Sequence, residues 1–285
     1  MALMFNMLEE EDLNKANAHD PNNILITSEI MQKAYALRTA YMGDPDFYDI
    51  PYNLFLSKDN ARLLSAQVNR ERSSLKAEFE PYKYKFKENT THYSVIDSEG
   101  NAVSTTTTLN TAFGSGVIIE GTGILMNNEM DDFAAAPNQP NYFELLGSQA
   151  NEIEPNKRPL SSMTPTIVFK DDKPLIITGA QGGSRIITAI FQVILNYYEY
   201  QLSAEESVYL PRYHHQWSPE YLMYEDFDEN LIAELESLGF SLFLRTPTYD
   251  YSNGITSSIM IEDDTLIGVS DFRSDDFLSI GVTNE

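Results

Sequence analysis

A threonine at the start of a strand-like run is the first candidate for chemistry in this chain. Thr90 follows Asn89 and precedes the β-branched residues of segment 91–96. A threonine hydroxyl is a poor nucleophile because its own side chain holds no base. A free α-amine, whose pKa is about 7.7–8.0, is partly neutral near pH 7–8 and can serve as that base. Thr90 would therefore carry both groups if the bond between Asn89 and Thr90 were cut.

The economical route to that cut uses the same hydroxyl. The Oγ1 atom of Thr90 would attack the carbonyl carbon of Asn89, the acyl group would shift from nitrogen to oxygen, and water would hydrolyse the ester. On its own, the pair Thr90-Thr91 is better explained by the β-propensity of threonine. Asn89-Thr90-Thr91 also matches the glycosylation sequon, which is common by chance. The chemical interpretation therefore depends on the blocks elsewhere in the chain.

Four polar or glycine-rich blocks follow Thr90, and one block precedes it. In chain order they are Tyr41-Met42-Gly43-Asp44-Pro45-Asp46-Phe47, Thr108-Leu109-Asn110, Asn127-Asn128-Glu129-Met130-Asp131-Asp132-Phe133, Pro159-Leu160-Ser161-Ser162-Met163 and Gly179-Ala180-Gln181-Gly182-Gly183-Ser184-Arg185. Taken in this order, the blocks resemble those of the γ-glutamyltransferase family, whose members are N-terminal-nucleophile enzymes that cut themselves to expose a threonine. The resemblance runs from about Asn6 to the C-terminus.

The resemblance implies a catalytic group of four residues. Thr90 matches the nucleophile, and Thr108 matches the second threonine, whose hydroxyl contacts and orients it. Gly182 and Gly183 match the backbone N–H donors of the oxyanion hole. Two glycines ahead of a helix allow their amides to point at a developing oxyanion, and the positive end of the helix adds to the field. A pair of glycines before a helix would be weak evidence by itself.

Five more residues match positions that hold the head group of the substrate. Asn110, Glu129 and Asp132 match the residues that bind the α-amino group of the γ-glutamyl moiety. Two carboxylates and an amide carbonyl suit an ammonium. Ser161 and Ser162 match the serines that bind its α-carboxylate. Without the other blocks, the two acids would be explained as solvated loop residues and the two serines as part of a plain turn.

Segment 137–143 has the position and length of the loop that covers the site in many family members. Those members place an aromatic residue at its tip, and Tyr142 or Phe143 could take that place. His214 and His215 also fall in a block that resembles the family, and we interpret them as packing residues. No metal site is predicted, since the four histidines show no ligand spacing with acidic residues and cysteine is absent. The resemblance implies no cofactor.

The composition is that of a globular protein with an acidic surface. The chain has 285 residues, 42% of them hydrophobic, and a formal net charge of −24. Such a charge disfavours nucleic acid and anionic lipid as partners, since both are bound through clusters of Lys and Arg. No apolar run reaches the ~20 residues of a membrane helix. The N-terminus lacks the basic region of a signal peptide, although the family is usually exported, so the compartment stays undetermined.

The predicted secondary structure that must position these residues changes from helices to mainly strands near Thr90. Before it, helical spacing predicts helices over 29–42 and 57–72. After it, β-branched runs around short polar turns predict three hairpins, over 91–108, 166–178 and 257–269. Helices are predicted from residues 186, 203 and 229 onward. Together with the resemblance, this pattern predicts an α+β fold, the N-terminal-nucleophile αββα sandwich of stacked antiparallel sheets covered by helices.

The resemblance divides the chain into two segments. Residues 1–89 are expected to be the helical C-terminal remnant of the large subunit, and residues 90–285 the β-rich small catalytic subunit. Family members are considerably longer, and the part without a counterpart here carries sheet strands and the arginine that pairs with the substrate carboxylate. The sandwich is therefore expected to be incomplete, and no arginine of this chain takes that role by motif. A missing large-subunit segment is a candidate partner.

The expected activity is γ-glutamyl transfer or hydrolysis of glutathione and related γ-glutamyl compounds. It would use a γ-glutamyl-threonine intermediate after self-cleavage at Asn89-Thr90, with water, an amino acid or a peptide as acceptor. Two alternatives stay open: a poly-γ-glutamate depolymerase of the same family, and a non-catalytic remnant that needs a separate N-terminal segment. Asn110, Glu129, Asp132 and both serines argue against a cephalosporin-type acylase, because they suit a glutamyl head group.

Overall fold

The computed structural model of the chain describes residues 1–74, 88–136, 139–247, 252–263, 265–275 and 278–282, with the backbone alone at residues 88 and 89. The chain divides into two compact units. The helical unit comprises Met1–Phe86, Glu129–Ser161 and Tyr213–Arg245, and the sheet unit comprises Lys87–Asn128, Ser162–Arg212 and Thr246–Glu285. Within the described ranges, none of the helices has the length and apolar character of a membrane-crossing segment.

The helices and strands of the described residues follow one another along both units. In chain order they are α1 (Ala2–Leu8), α2 (Pro21–Tyr41), α3 (Tyr52–Leu56), α4 (Lys58–Ser65), β1 (Glu88–Ile96), β2 (Ala102–Thr111), β3 (Thr166–Lys170), β4 (Lys173–Gln181), α5 (Ile186–Tyr198), α6 (Ala204–Tyr209), β5 (Tyr213–His214), β6 (Leu222–Tyr224), α7 (Glu229–Ser237), β7 (Leu242–Leu244), β8 (Ile255–Glu262) and β9 (Thr265–Ser270). The helical unit holds α1 to α4, α7 and β5 to β7, and the sheet unit holds the others.

The three predicted hairpins are present in the sheet unit. β1 pairs with β2 in a two-stranded sheet, and β3-β4-β8-β9 form a four-stranded sheet whose neighbours are all antiparallel. The turn between β1 and β2 is set by Asp97, whose Oδ1 accepts from the backbone N–H groups of Glu99 and Asn101 at 2.9 Å each. Gly100 completes the turn with a φ of 85°. Local turn chemistry therefore explains why this hairpin was predictable.

The two sheets of this unit pack together through polar side chains on β1 and β2. Ser94 Oγ donates to the carbonyl of Ser257 at 3.0 Å, and Ser104 Oγ donates to the carbonyl of Thr178 at 2.9 Å. The buried helix α5 packs on β4 and β8. Stacked antiparallel sheets with a helix layer confirm the predicted α+β fold class.

Helix α2 is the main core element of the helical unit. Asp20 caps it by accepting from the N–H of Asn22 at 2.9 Å, and Pro21 occupies its first turn. The helix begins well before the predicted start at residue 29. From Asn23 onward its first two turns are buried yet partly polar, so apolar periodicity did not indicate them. Thr27 belongs to this stretch, and its Oγ1 lies 2.7 Å from the hydroxyl of Tyr213.

The second predicted helix, over 57–72, is shorter in the structure. Ser57 caps α4 by accepting from the N–H of Asn60, and the helix ends at Ser65. Beyond that point, Asn69 Oδ1 accepts from the N–H groups of Glu71 and Arg72 at 3.1 and 3.2 Å. Such local side-chain bonds offer the backbone an alternative to the helical ladder, and they favour a turn here.

A small sheet in the helical unit lies outside the sequence prediction. β5 pairs antiparallel with β6, and β6 pairs parallel with β7. Each strand has two or three residues, which is too short for an alternating pattern to reveal. His214 in β5 is buried and packs edge-on against Tyr35, with ring centroids 5.6 Å apart. This contact supports the interpretation of His214 as a packing residue.

The compact units do not follow the predicted division of the chain at residues 89 and 90. The helical unit contains stretches from both sides of that point, and the sheet unit begins just before it. The predicted division is a covalent one, set by cleavage, whereas compact units reflect packing. The assignment of 1–89 and 90–285 to two subunits therefore stays a prediction.

Replacing Gly179 by alanine is expected to destabilise the sheet unit. The ring of His92 lies on Gly179 of β4, where an added Cβ would come within 2.1 Å of His92 Cε1. Overpacking of this kind costs about 1–3 kcal/mol. Urea unfolding measures the loss, and Gly281→Ala is the control because a Cβ there meets nothing within 4 Å. Equal midpoints for the two variants would contradict the packing of His92 on β4.

Candidate active site

The hydroxyl of the predicted nucleophile is hydrogen-bonded between β1 and β2. Thr90 and Thr108 face each other in the register of the two strands. Thr90 Oγ1 donates to Thr108 Oγ1 at 2.9 Å, and Thr108 Oγ1 also accepts from the backbone N–H of Asn110 at 2.8 Å. Thr90 is 4% exposed. Its hydroxyl is therefore oriented by a neighbour whose own oxygen is fixed by the backbone.

The register of the two strands is interrupted beside the predicted scissile bond. Glu88 lies opposite Thr111 and Thr90 lies opposite Thr108, so β2 has one residue more than β1 between these pairs. Asn110 falls in this irregular stretch with a φ of 75°, a conformation that asparagine tolerates better than most residues. Irregularities of this kind are frequent beside active sites because they redirect side chains.

Asn110 also links β2 to the segment that leads into the acidic block. Its side chain is 3% exposed, and its Nδ2 donates to the carbonyl of Asn128 at 3.2 Å. The Asn128 Oδ1 in turn accepts from the N–H of Thr111 at 3.1 Å and from its Oγ1 at 3.0 Å. The predicted amine-binding residue Asn110 is thus held at its backbone N–H by the hydroxyl of Thr108 and at its side chain by the carbonyl of Asn128.

His92 supports the strand pair as a neutral group. Its Nδ1 lies 2.7 Å from Thr106 Oγ1, and its Nε2 lies 3.1 Å from Ser94 Oγ. Burial lowers the pKa of His92 to about 4. At neutral pH one ring nitrogen therefore donates and the other accepts. The ring satisfies hydroxyls on both strands without adding a charge near Thr90.

The two predicted oxyanion-hole glycines form a tight turn between β4 and α5. Gly182 has a φ of 139° and Gly183 a φ of 55°, which are values that favour glycine. The carbonyl of Gly182 accepts from the N–H of Arg185 at 3.1 Å, so the turn leads directly toward α5. An added Cβ on Gly182 would lie 2.8 Å from the Cα of Gly254. A side chain at Gly182 would therefore displace this turn.

Glu129 and Asp132 form an acidic pair in the helical unit. They are the first and last residues of one 3-10 turn, Glu129–Asp132. Burial, reinforced by the negative charge of Glu129, raises the pKa of Asp132 to about 7, and Arg38 opposes this rise. Burial also raises the pKa of Glu129. Near neutral pH the pair therefore carries less negative charge than two exposed carboxylates would.

Arg38 lies beside the predicted acidic pair, and the sequence did not indicate it. It lies on α2, is 9% exposed, and lines a cavity of the helical unit together with Asp132 and Asn151. Its Nη2 donates to the carbonyl of Ser161 across a long 3.5 Å. The sequence offered one indication of Arg38. It is a charged residue one helical turn after Ala34, on a helix face whose other residues are predicted to belong to the core.

The segment that ends in Ser161 is held by two anchors. Arg158 donates to Asp44 through Nε at 2.9 Å, through Nη2 at 2.6 Å and through its backbone N–H at 2.8 Å. The N–H of Leu160 donates to Asn151 Oδ1 at 3.0 Å. Asn151 is a second residue that sequence reasoning missed, because nothing local distinguishes it from other loop asparagines. The turn with the predicted carboxylate-binding serines thus follows a braced stretch of backbone.

The two lid candidates differ in their burial. Phe143 is 8% exposed, and its carbonyl accepts from Gln216 Nε2 at 3.0 Å. Tyr142 is half-buried, and its ring lies edge-on to that of Phe143 with centroids 5.3 Å apart. Tyr142 is therefore the better candidate for an accessible tip. Residues 137–138 of the predicted loop lie outside the described residues, and the lid assignment stays a prediction.

The predicted site residues are distributed over both units. The sheet unit holds Thr90, Thr108, Asn110, Ser162, Gly182 and Gly183, and the helical unit holds Glu129, Asp132, Tyr142, Phe143 and Ser161. Direct contacts join Thr90, Thr108 and Asn110 in one group and Glu129 with Asp132 in another. Among the residues that the structure describes, no group of three or more His, Asp or Glu side chains is arranged to bind a metal ion.

Known proteins resemble this chain over most of its length. The family model for gamma-glutamyltranspeptidase matches residues 1–280. The glutathione hydrolase proenzyme of Escherichia coli (strain K12) is 43% identical over 282 residues, which are 98% of this chain and 48% of that protein. The chain therefore spans about half the length of this relative.

Two solved structures resemble the chain in different ways. The gamma-glutamyltranspeptidase from Pseudomonas nitroreducens complexed with L-DON is 40% identical, with a TM-score of 0.63, and the match covers 68% of this chain and 100% of that chain. The cephalosporin acylase from Bacillus halodurans is 21% identical, with a TM-score of 0.79 over 96% of this chain and 47% of its own. At that identity the acylase shows a shared fold alone.

Asp132→Asn is expected to raise stability at pH 8 and to have little effect at pH 4. The folded-state pKa of Asp132, about 7, lies above the ~3.9 of an exposed aspartate. The folded state therefore binds this proton more tightly than the unfolded state, and stability falls as the pH rises from about 4 to about 7. An amide removes that loss. Thermal unfolding at pH 4, 6 and 8 measures the difference.

Asp97→Asn is the matched control, and its change in stability at pH 8 is expected to have the opposite sign. Hydrogen bonds from Asn101 lower the pKa of Asp97. Its carboxylate therefore contributes stability above its unfolded-state pKa, and this contribution is lost as the pH falls. Asp97→Asn should lower the unfolding temperature at pH 8. A gain at pH 8 for both variants would contradict the assignment to Asp132, because it would reflect only the removal of one charge from an acidic protein.

Proposed function

Because the chain belongs to the γ-glutamyltranspeptidase family, we propose that it carries the catalytic residues for γ-glutamyl transfer or hydrolysis. The proposed donors are glutathione and related γ-glutamyl compounds, and the acceptors are water, amino acids or peptides. The observation that carries the proposal is the hydroxyl of Thr108, whose Oγ1 accepts both from Thr90 Oγ1 and from the N–H of Asn110. It orients a hydroxyl on the residue whose freed amine would act as base.

Turnover would proceed through two acyl transfers. In the first, Thr90 Oγ1 attacks the γ-carbonyl carbon of the donor, and the α-amine of Thr90 takes the hydroxyl proton. The N–H groups of Gly182 and Gly183 donate to the oxyanion, and the amine passes its proton to the leaving nitrogen. In the second, the acceptor attacks the ester and loses a proton to the same amine. That proton returns to Thr90 Oγ1 as the ester bond breaks.

The same hydroxyl would first cut the chain. Thr90 Oγ1 attacks the carbonyl carbon of Asn89, and the nitrogen of Thr90 leaves with the proton that the hydroxyl gives up. Water then hydrolyses the ester, which restores the Thr90 hydroxyl and leaves a carboxylic acid on Asn89. The products are residues 1–89 and 90–285, the two proposed subunits. The solved chain from Pseudomonas nitroreducens supports the second product, because it is covered in full by 68% of this chain and residues 90–285 make up about that fraction.

The acidic pair and the serines would recognise the head group of the donor. Asn110, Glu129 and Asp132 are proposed to bind its α-ammonium, and Ser161 and Ser162 its α-carboxylate. The raised pKa values of the two acids support this assignment. An ammonium beside such a pair favours its ionised form, and the resulting charge-assisted hydrogen bonds are about twice as strong as neutral ones.

The large-subunit segment that has no counterpart in this chain is the proposed partner. Several apolar side chains are exposed along a hairpin of the sheet unit, in which Ile119 N–H donates to the carbonyl of Ile124 at 2.9 Å. They are Phe113, Val117, Ile118, Ile119, Ile124 and Met126. Exposed apolar patches mark interaction surfaces. Since the chain spans 48% of the Escherichia coli relative, the proposed occupant corresponds to the other part of that protein.

The purified chain is expected to break at Asn89–Thr90 on incubation. Mass spectrometry should then detect residues 1–89 and 90–285. Thr90→Ala should stay intact because it has no hydroxyl. Thr91→Ala is the matched control, since Thr91 is the next residue of β1 and its side chain is exposed, and this variant should still be cut. An intact parent chain, or a break at the same bond in Thr90→Ala, would contradict self-cleavage.

The cleaved chain is expected to release p-nitroaniline from γ-glutamyl-p-nitroanilide, and Thr90→Ala should release none. The assay is run on the chain alone and after co-expression with the part of the Escherichia coli relative outside the matched region. Turnover that requires co-expression supports the proposed partner. Turnover in neither sample would identify a non-catalytic remnant. Faster attack on poly-γ-glutamate than on glutathione would favour the depolymerase.

A further inference from the structure

We propose that Asn151 is a positioning residue that fixes the distance between the two parts of the head-group site. Its side-chain amide joins the backbone of Asp132 to the backbone of Leu160, the residue before Ser161. One end of the amide thus holds the proposed ammonium-binding residue, and the other holds the proposed carboxylate-binding turn. This inference rests on the proposed function and adds a residue that no motif indicated.

The amide of Asn151 makes its two bonds to backbone groups. Its Nδ2 donates to the carbonyl of Asp132 at 2.7 Å, and its Oδ1 accepts from the N–H of Leu160 at 3.0 Å. Its backbone carbonyl also accepts from the N–H of Ala134 at 2.9 Å. Asn151 is 5% exposed, so water does not readily replace either side-chain bond.

Asn151 is itself held in a fixed position. It ends the 3-10 turn Gln149–Asn151, which Ser148 caps by accepting from the N–H of Ala150 at 3.3 Å. Gly43 lies so close to this turn that an added Cβ would come within 2.0 Å of the carbonyl oxygen of Ala150. A side chain anchored this firmly can set the positions of the segments bonded to it.

The head group of an α-amino acid requires such a fixed distance. Its ammonium and carboxylate are bonded to one carbon, so covalent geometry sets their separation. Two protein segments that bind these groups must keep a matching separation if both are to be bound at once. Arg38 adds a weaker link to the same frame, since it lines one cavity with Asp132 and Asn151 and lies 3.5 Å from the carbonyl of Ser161.

Two substitutions of Asn151 test the proposal by steady-state kinetics with γ-glutamyl-p-nitroanilide. Asn151→Ala removes both bonds, whereas Asn151→Asp keeps the acceptor for Leu160 and loses the donor to Asp132. We expect KM to rise about tenfold in both variants. The kcat should stay within a few-fold, because the head group is bound alike in the ground state and the transition state. The full chain is used, with the partner segment if turnover requires it.

Competing ligands separate a positioning role from a general loss of stability. L-Glutamate carries both head-group charges, glutarate lacks the ammonium, and 4-aminobutyrate lacks the carboxylate. Loss of the fixed distance should weaken inhibition by L-glutamate about tenfold. It should leave the inhibition constants of the two single-anchor ligands nearly unchanged. A damaged site would weaken all three ligands alike.

Asn23→Ala is the matched control. Asn23 is a buried asparagine of the same unit whose Nδ2 donates to the carbonyls of Asn14 and Asn17 and whose Oδ1 accepts from the N–H of Asn14. Its KM should equal that of the parent even if its unfolding temperature falls. Asn151 variants with the parent's KM, or with equal weakening of all three ligands, would overturn this inference alone. A parent chain that neither turns over nor binds L-glutamate would overturn the proposed function and the inference with it.

Discussion

The hydrogen bond between Thr90 and Thr108 is the interaction around which the sheet unit is arranged. It forms only if β1 and β2 pair in one register, because a slip by one residue would turn Thr90 to the other face of the sheet. Polar contacts with the neighbouring sheet hold that register, with His92 lying on Gly179 and Ser104 bonded to a carbonyl of β4. Buried hydroxyls tolerate little displacement since each must keep its partner. The polar interface thus fixes the register more strictly than an apolar one would.

In the helical unit, the protonation of Asp132 depends on a balance between burial and neighbouring charges. Asp132 lies in a protein with a formal net charge of −24. Burial and Glu129 favour its protonated form, and Arg38 favours its ionised form. These opposing effects leave the carboxyl close to its titration point at neutral pH. A cationic group can therefore shift it to the ionised form at little cost, whereas a neutral or anionic ligand cannot.

The sequence predicted those parts of the fold and candidate site that local chemistry specifies. The hairpins were predictable because residues such as Asp97 and Gly100 determine their turns within a few residues. The short strands β5 to β7 were not, since their pairing depends on tertiary context more than on propensity. Arg38 and Asn151 were missed for the same reason. Their roles come from backbone carbonyls of residues distant in sequence or at the far side of a loop, such as Ser161 and Asp132.

The irregular register beside Asn89 protects the rest of the sheet from a break at that point. From Thr90 opposite Thr108 to Ile96 opposite Ala102, the pairing of β1 with β2 runs without interruption. A cut before Thr90 would leave all of these pairs in place and would free only the part of the strand beyond the irregularity. A severed strand usually frays from its new end, and fraying opens a fold to proteases. Here the new end would coincide with the end of the continuous ladder, so the cut itself would create no unpaired stretch of β1 on the C-terminal side of the break.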